Sequence, residues 1–180
     1  KLGQRTLNQG EIFFDGVRIP ADHMVAGPEN YSLMTNLTLV TANCLMGVSF
    51  AAVAMAAFDL ALQYAKGRVQ GGVPIIQHQS VKARLFEMYR QVEAARAIAR
   101  RAYFYNMASG SVDLAIAITS KVTCTKAAFD VASDAIQIFG GNGISREYPI
   151  EKLFRDARLS MIEDGGNEVL GLVGGDLIAA

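Results

Sequence analysis

The chain has no tryptophan, four prolines, two cysteines and two histidines among 180 residues, and no excess of either charge, since 17 lysines and arginines meet 17 aspartates and glutamates. Balanced charge gives no overall field that would draw nucleic acid or an anionic membrane face, so neither partner is implied. Cys44 and Cys124 lie far apart in apolar, helical-looking stretches, with no CxxC pair and no histidine beside them. That spacing makes no metal set, and the two are expected to be buried, reduced thiols. The opening stretch, "KLGQRTLNQGEIFFDGVRIPADHM", alternates and turns like strand and loop, and it lacks the basic, apolar, small-residue order of a targeting signal. A start in mid-strand leads us to expect the carboxyl-terminal part of a longer protein.

Charge is also missing locally. From Asn30 through Phe58 no residue is charged, a run long enough to be tested as a membrane span. Its first half carries Ser32, Thr35, Asn36, Thr38, Thr41 and Asn43, which would be costly facing lipid. Its second half, "CLMGVSFAAVAMAAF", is built from small residues that let neighbouring helices approach closely. A central helix buried on all sides in a bundle or oligomer accounts for the stretch with no membrane span.

What is abundant is helical periodicity. With 51% hydrophobic residues and a mean hydropathy of +0.22, the chain can bury one substantial core. Val81, Leu85, Met88, Val92, Ala95, Ala99 and Ala102 step by fours and threes with charged residues on the other faces, which makes one apolar seam. Ala115, Ile118, Val122, Thr125, Phe129, Ala132, Ile136 and Phe139 make a second, which Ser111 can cap and Gly140 can end. Pro74 opens the first of these helices and "NMASGSVD" links the two. Two shorter helices are predicted near "PIEKLFRDARL" and from about Asn167 to Ile178. The fold class expected is therefore all-α, an up-and-down bundle of three long helices with a short β segment at the N-terminus.

Periodicity says nothing of function, which has to come from the loops. "QIFGGNGISREYP" brings Gly140, Gly141 and Gly143 together after Gln137. One glycine suffices for a helix cap, so the others invite close approach by something flat or phosphorylated. In "MIEDGGNEV" an acid stands against a glycine pair, which could be a helix-start device, a metal ligand or a catalytic base.

Five motifs in register, "FFDGVRIPADHMVAGPEN", "YAKGRVQGGVPIIQHQ", "QIFGGNGISREYP", "KLFRDAR" and "IEDGGNE", resemble the carboxyl-terminal region of the acyl-CoA dehydrogenase family. The resemblance covers Lys1 to Ile178. It implies that residues 1–25 are the end of a middle β-domain and residues 26–180 the carboxyl-terminal helical bundle of a flavoprotein. It further implies FAD as cofactor, an acyl-CoA as substrate, an electron-transferring flavoprotein as acceptor, and a homo-oligomer, dimer or tetramer, in the bacterial cytoplasm or the mitochondrial matrix.

Carried over residue by residue, Arg68 takes the place of an arginine that contacts FAD held by a neighbouring subunit, a role that suits a guanidinium fork on pyrophosphate. Gln79 matches the same region. Gln137, Gly140 and Gly141 match a second contact across the same interface, and Gly166 occupies a cofactor position where relatives offer a threonine hydroxyl. Arg155 and Asp156 look like scaffold.

Asp164 falls on the glutamate that removes the α-proton of the thioester, with its carboxylate one methylene further back. Glu163 is the second candidate, and a helix-start role for Asp164 remains open. Two further departures are Gly71 in place of a phenylalanine that walls the adenine pocket, and Val40 and Asn43 in place of an aspartate and arginine near the thioester. Redox chemistry that has been lost or redirected, as in a non-redox elimination or a structural module, is the alternative.

Overall fold

The computed structural model describes residues 1–109 and 111–180; Gly110, in the predicted link between the second and third long helices, lies outside them. The described residues form five α-helices and one two-stranded ribbon: α1 (Tyr31–Gly67), β1 (Val69–Gln70), β2 (Val73–Pro74), α2 (Gln79–Ala108), α3 (Leu114–Phe139), α4 (Ile150–Ser160) and α5 (Asn167–Ala179). The chain is thus all-α in class, with helix boundaries close to those predicted for the two short helices.

The small residues of α1 fall on one stripe, Cys44, Gly47, Ala51, Ala54, Ala57, Ala61 and Ala65, all buried. A β-carbon on Gly47 would collide with the Ser120 side chain of α3, so the glycine is what lets the two helices approach this closely. The sequence predicts an α1 buried on all sides in a bundle or oligomer; within the single chain Leu37, Leu45, Val48 and Met55 on its other faces are exposed, so the bundle alone does not cover it. By length and composition α1 is apolar enough to cross a membrane, but here it packs along α2 and α3.

The helix enclosed on most sides is α3, which touches α1, α2, α4 and α5. Ile118, Thr125, Ala132 and Phe139 of its predicted seam are buried, and so are Ala117, Lys121, Cys124, Ala128, Val131, Ala135 and Ile138. On α2 the predicted seam is the buried one: Leu85, Met88, Val92, Ala95, Ala99 and Ala102 face inward, with Val81 half-buried. Burying a side chain such as Met88 completely contributes roughly 1.5–3 kcal/mol.

The cap of α3 differs from expectation. Asp113, not Ser111, accepts a hydrogen bond from the Ile116 amide at 2.9 Å. Its own amide donates to Asn106 Oδ1 at 2.6 Å, so the α2–α3 junction is fixed from both sides. Pro74 precedes a 3₁₀ turn, Ile75–Gln77, and α2 itself begins at Gln79. Gly140 ends α3 with φ +59°, a conformation that favours glycine.

Residues 1–20 form no strand and are mostly exposed, with Phe13 and Phe14 among the open apolar side chains. Only Leu2 to Gln4 are held: the Gln4 amide donates to Asp156 Oδ1 at 2.6 Å and Arg155 Nη1 donates to Leu2 O at 2.9 Å. Arg155 is also paired with Glu151, and Asp156 with Lys152, which makes both residues scaffold for α4.

Both cysteines are buried and free. The Cys44 thiol donates to Ala102 O and that of Cys124 to Ala95 O. Burial pushes both thiols up, Cys124 to about 11. Neither thiol of the native chain is therefore expected to react with an aromatic disulfide reagent at pH 8, and both should react once guanidinium unfolds it. Release of one thiol equivalent from native protein would contradict the packing described.

Candidate functional site

Arg68 follows the last turn of α1, its amide donating to Tyr64 O at 2.8 Å. The chain then reverses through β1 and β2, with Val69 opposite Pro74 and Gln70 opposite Val73. The two residues between them, Gly71 and Gly72, both have positive φ, +66° and +82°. This is the two-residue hairpin geometry that glycine favours, which gives Gly71 a backbone reason to be there. The His78 ring sits beside the turn, Nε2 3.1 Å from Gln70 O.

The start of the hairpin and the end of α3 line a common cavity of about 390 Å³, to which Tyr64, Arg68, Gln137, Gly140, Gly141 and Asn142 contribute among others. Tyr64 stacks on Phe139 with ring centroids 4.1 Å apart, and Tyr148 meets both rings edge-on. Asn142 Nδ2 donates to the hydroxyls of Tyr64 and Tyr148 at 3.0 and 3.3 Å. The rings of this base are packed and hydrogen-bonded to one another through Asn142, whereas the Arg68 and Gln137 side chains are exposed and make no hydrogen bond among the described residues. A β-carbon at Gly140 or Gly141 would meet nothing within 4 Å, so bare backbone faces open space. A guanidinium, a side-chain amide and accessible backbone suit a phosphorylated ligand.

Of the residues predicted for a cofactor, the structure brings Arg68, Gln137, Gly140 and Gly141 to this cavity. Gln79, the first residue of α2, is exposed and does not line it. Gly166 and Asp164 lie on the α4–α5 turn, away from its lining.

That turn has unusual geometry. Asp164 is exposed and has φ +51°, one of two non-glycine residues with positive φ among those described, and Gly165 follows at +93°. The Asn167 amide closes the turn on Met161 O at 3.0 Å. Helix α5 is capped at Gly166 with no side-chain hydrogen bond, so Asp164 does not act as a helix-start acceptor. Glu163 accepts a hydrogen bond from Gln4 Nε2 and is tied to the N-terminal segment.

Beneath the turn is a polar cluster that no local pattern announced. Lys121 of α3 is fully buried, and its Nζ donates to Gly165 O at 2.6 Å and to Asn167 Oδ1 at 2.9 Å. Asn167 Nδ2 donates in turn to Thr125 Oγ1 at 3.0 Å, and that hydroxyl donates to Lys121 O. Burial pushes the Lys121 pKa down, while the carboxylates of Asp164, Glu163 and Glu168 push it back up. The only signal in the sequence was a lysine standing inside an otherwise uncharged stretch of α3.

The acyl-CoA dehydrogenase C-terminal domain family matches residues 34–176. The chain is 33% identical over 174 residues to cyclohexane-1-carbonyl-CoA dehydrogenase of Geobacter metallireducens, covering 96% of this chain and 45% of that protein. It is 34% identical over 179 residues to a short-chain specific acyl-CoA dehydrogenase of Megasphaera elsdenii, covering 99% and 46%. Its fold is similar to that of butyryl-CoA dehydrogenase from Megasphaera elsdenii, with TM-score 0.88, 32% identity, 93% of this chain and 43% of that one covered. The chain spans a little under half the length of the curated relatives it matches.

Proposed function

The chain belongs to the acyl-CoA dehydrogenase family, as its carboxyl-terminal helical domain, and on that premise we propose that it forms part of a flavoprotein that desaturates an acyl thioester between its α and β carbons. Residues 1–25 belong, in this reading, to the end of a middle β-domain, and 26–180 are the bundle. The observation that carries the reading is the α4–α5 turn. It presents Asp164 to solvent in a left-handed conformation, free of any capping role, while the neighbouring Glu163 is engaged elsewhere.

Asp164 is the base. Its carboxylate accepts the α-proton as that C–H bond breaks, the β-hydrogen departs with its electron pair, and a C=C bond forms between the two carbons. FAD, when bound, supplies the acceptor for that hydride, and an electron-transferring flavoprotein is the onward acceptor. Arg68 and Gln137 would hold the dinucleotide from the cavity at the end of α3, where the backbone of Gly140 and Gly141 carries no side chain to obstruct it. These groups lie apart from Asp164, in keeping with a homo-oligomer in which this cavity serves a cofactor seated in a neighbouring subunit. Gly166 leaves its side of the cofactor without a hydroxyl donor. Val40 and Asn43 are 2% and 0% exposed, so α1 offers the coenzyme A portion neither of these side chains.

Anaerobic mixing of the full-length protein with a panel of acyl-CoAs tests the function: bleaching of the flavin by at least one member is expected. Bound flavin with no bleaching by any of them would favour the non-redox or structural alternative. In the same protein Arg68→Ala is expected to lower flavin occupancy after gel filtration severalfold with unchanged helix content, since the residue follows a helix held by packing and loses only a charge-assisted contact of about 1.5–3 kcal/mol. Full occupancy would return Arg68 to the ordinary surface.

A further inference from the structure

We infer that Lys121 is a positioning residue for Asp164: from the buried face of α3 its ammonium grips the backbone of the α4–α5 turn and fixes the conformation that presents the carboxylate. The inference rests on Asp164 being the base. Three observations carry it. Lys121 is fully buried, and its two hydrogen-bond partners are Gly165 O in this turn and the side-chain Oδ1 of Asn167, the residue whose backbone amide closes the turn on Met161 O. Gly165 directly follows Asp164 in the chain, so anchoring its carbonyl fixes the peptide planes on which the Asp164 direction depends. The turn also holds two successive positive-φ residues, one of them not a glycine, a state that persists only where the surroundings over-determine it.

Thr125 completes the clamp by holding the Asn167 amide from the next turn of α3. An apolar side chain would fill the same space without the cost of burying a charge, and replacing buried ions in this way is often neutral or favourable for stability. A lysine here is therefore better explained by what it holds than by the stability it adds. Its charge is also felt by Glu163 and Asp164 of the turn and by Glu168 in the first turn of α5.

The test is Lys121→Met in the full-length flavoprotein. Flavin content, helix content and acyl-CoA dissociation constant are expected to stay within about twofold of the parent. The rate constant of flavin reduction by substrate should fall about ten- to a hundredfold, as expected when a reacting group moves by about 1 Å. Amide exchange at Gly165, Gly166 and Asn167, measured also on the present chain, should accelerate. An unchanged reduction rate would overturn the inference, and so would a loss of rate that follows loss of flavin or helix content in proportion.

Should Lys121→Met fail to fold, Asn167→Ala keeps the ammonium and removes one of its two anchors. The same separation of rate from binding is then expected at severalfold size, and its absence counts against the clamp. Asp164→Asn run alongside tells the two claims apart. If that variant is inactive while Lys121→Met reduces its flavin normally, only the clamp falls; if it is fully active, the base assignment falls and takes the clamp with it.

Discussion

Asp164→Asn is expected to retain flavin and bind an acyl thioester as the parent does, and to lose flavin reduction by substrate by roughly 10²–10⁴-fold, the contribution typical of a positioned general base. The amide has nearly the shape of the carboxylate but cannot accept the α-proton, so binding and fold are left in place while the chemical step is removed. Stability should barely change. Asp164 is exposed and makes no side-chain hydrogen bond to the first turn of α5, and asparagine tolerates the left-handed region as well as aspartate does. Full activity of this variant would end the claim that the turn carries the base.

Two companions sharpen the result. Asp164→Glu restores the reach usual in the family and should be tolerated or faster on a straight acyl chain. Glu163→Gln should leave the rate within about twofold, because a side-chain carbonyl can still accept from Gln4 Nε2. If instead Glu163→Gln were the disabling change, the base would sit one residue earlier and the Gln4 contact would have to open during turnover.

How far the sequence announced this arrangement depends on the range of the interactions involved. Helices α4 and α5 were legible almost to the residue, since a proline precedes the first and a glycine pair the second, and α2 showed its buried face directly because charge occupies the others. For α1 and α3 local composition does not say which neighbours do the burying. Absence of charge in α1 predicts burial all round in a bundle or oligomer, and within the single chain its outer face still holds exposed apolar residues. In α3 the spacing predicts a single seam, whereas neighbours on several sides bury half of its residues, Lys121 included. Periodicity reports one preferred face and cannot report how many neighbours a helix has. The cap of α3 failed for a related reason: Asp113 is pinned by Asn106, a tertiary link that sequence spacing does not display.

The site divides the same way. Arg68, Gln137, Gly140 and Gly141 stand out one motif at a time, and the fold brings them to one cavity because α1 packs along α3, which sets the residues that follow α1 beside the end of α3. Gly71, which looked like a missing pocket wall, has a backbone role in that hairpin. The Lys121–Asn167–Thr125 cluster escaped notice because its members are 42 and 46 residues apart and only packing of α5 on α3 makes them neighbours.

The glycines of "GGNG" should separate into three roles under alanine substitution, with the largest loss of stability at Gly143. A β-carbon there would stand 2.6 Å from Ile136 O and 3.0 Å from both Ile136 Cα and Phe139 Cβ. Two of these atoms are backbone and the third is held by a buried ring, so none can swing aside. The helix end itself must move, at a cost of roughly 1–3 kcal/mol, which corresponds to a fall in Tm of about 2–12 °C for a chain of this size. At Gly140 the β-carbon meets open space but φ is +59°, so Gly140→Ala should cost about 1 kcal/mol of backbone strain. Gly141 has neither a clash nor a positive φ, and Gly141→Ala should stay within roughly 0.5 kcal/mol of the parent. If the dinucleotide passes over this backbone as proposed, however, Gly141→Ala in the full-length protein should lower flavin occupancy with no change in Tm of the flavin-free form. Thermal unfolding of the three variants, each with and without flavin, reads both orders at once. Equal losses of Tm at all three positions would mean that the end of α3 relaxes around a methyl group wherever it is placed, and the close packing of Gly143 on Ile136 would not be what holds the loop in shape.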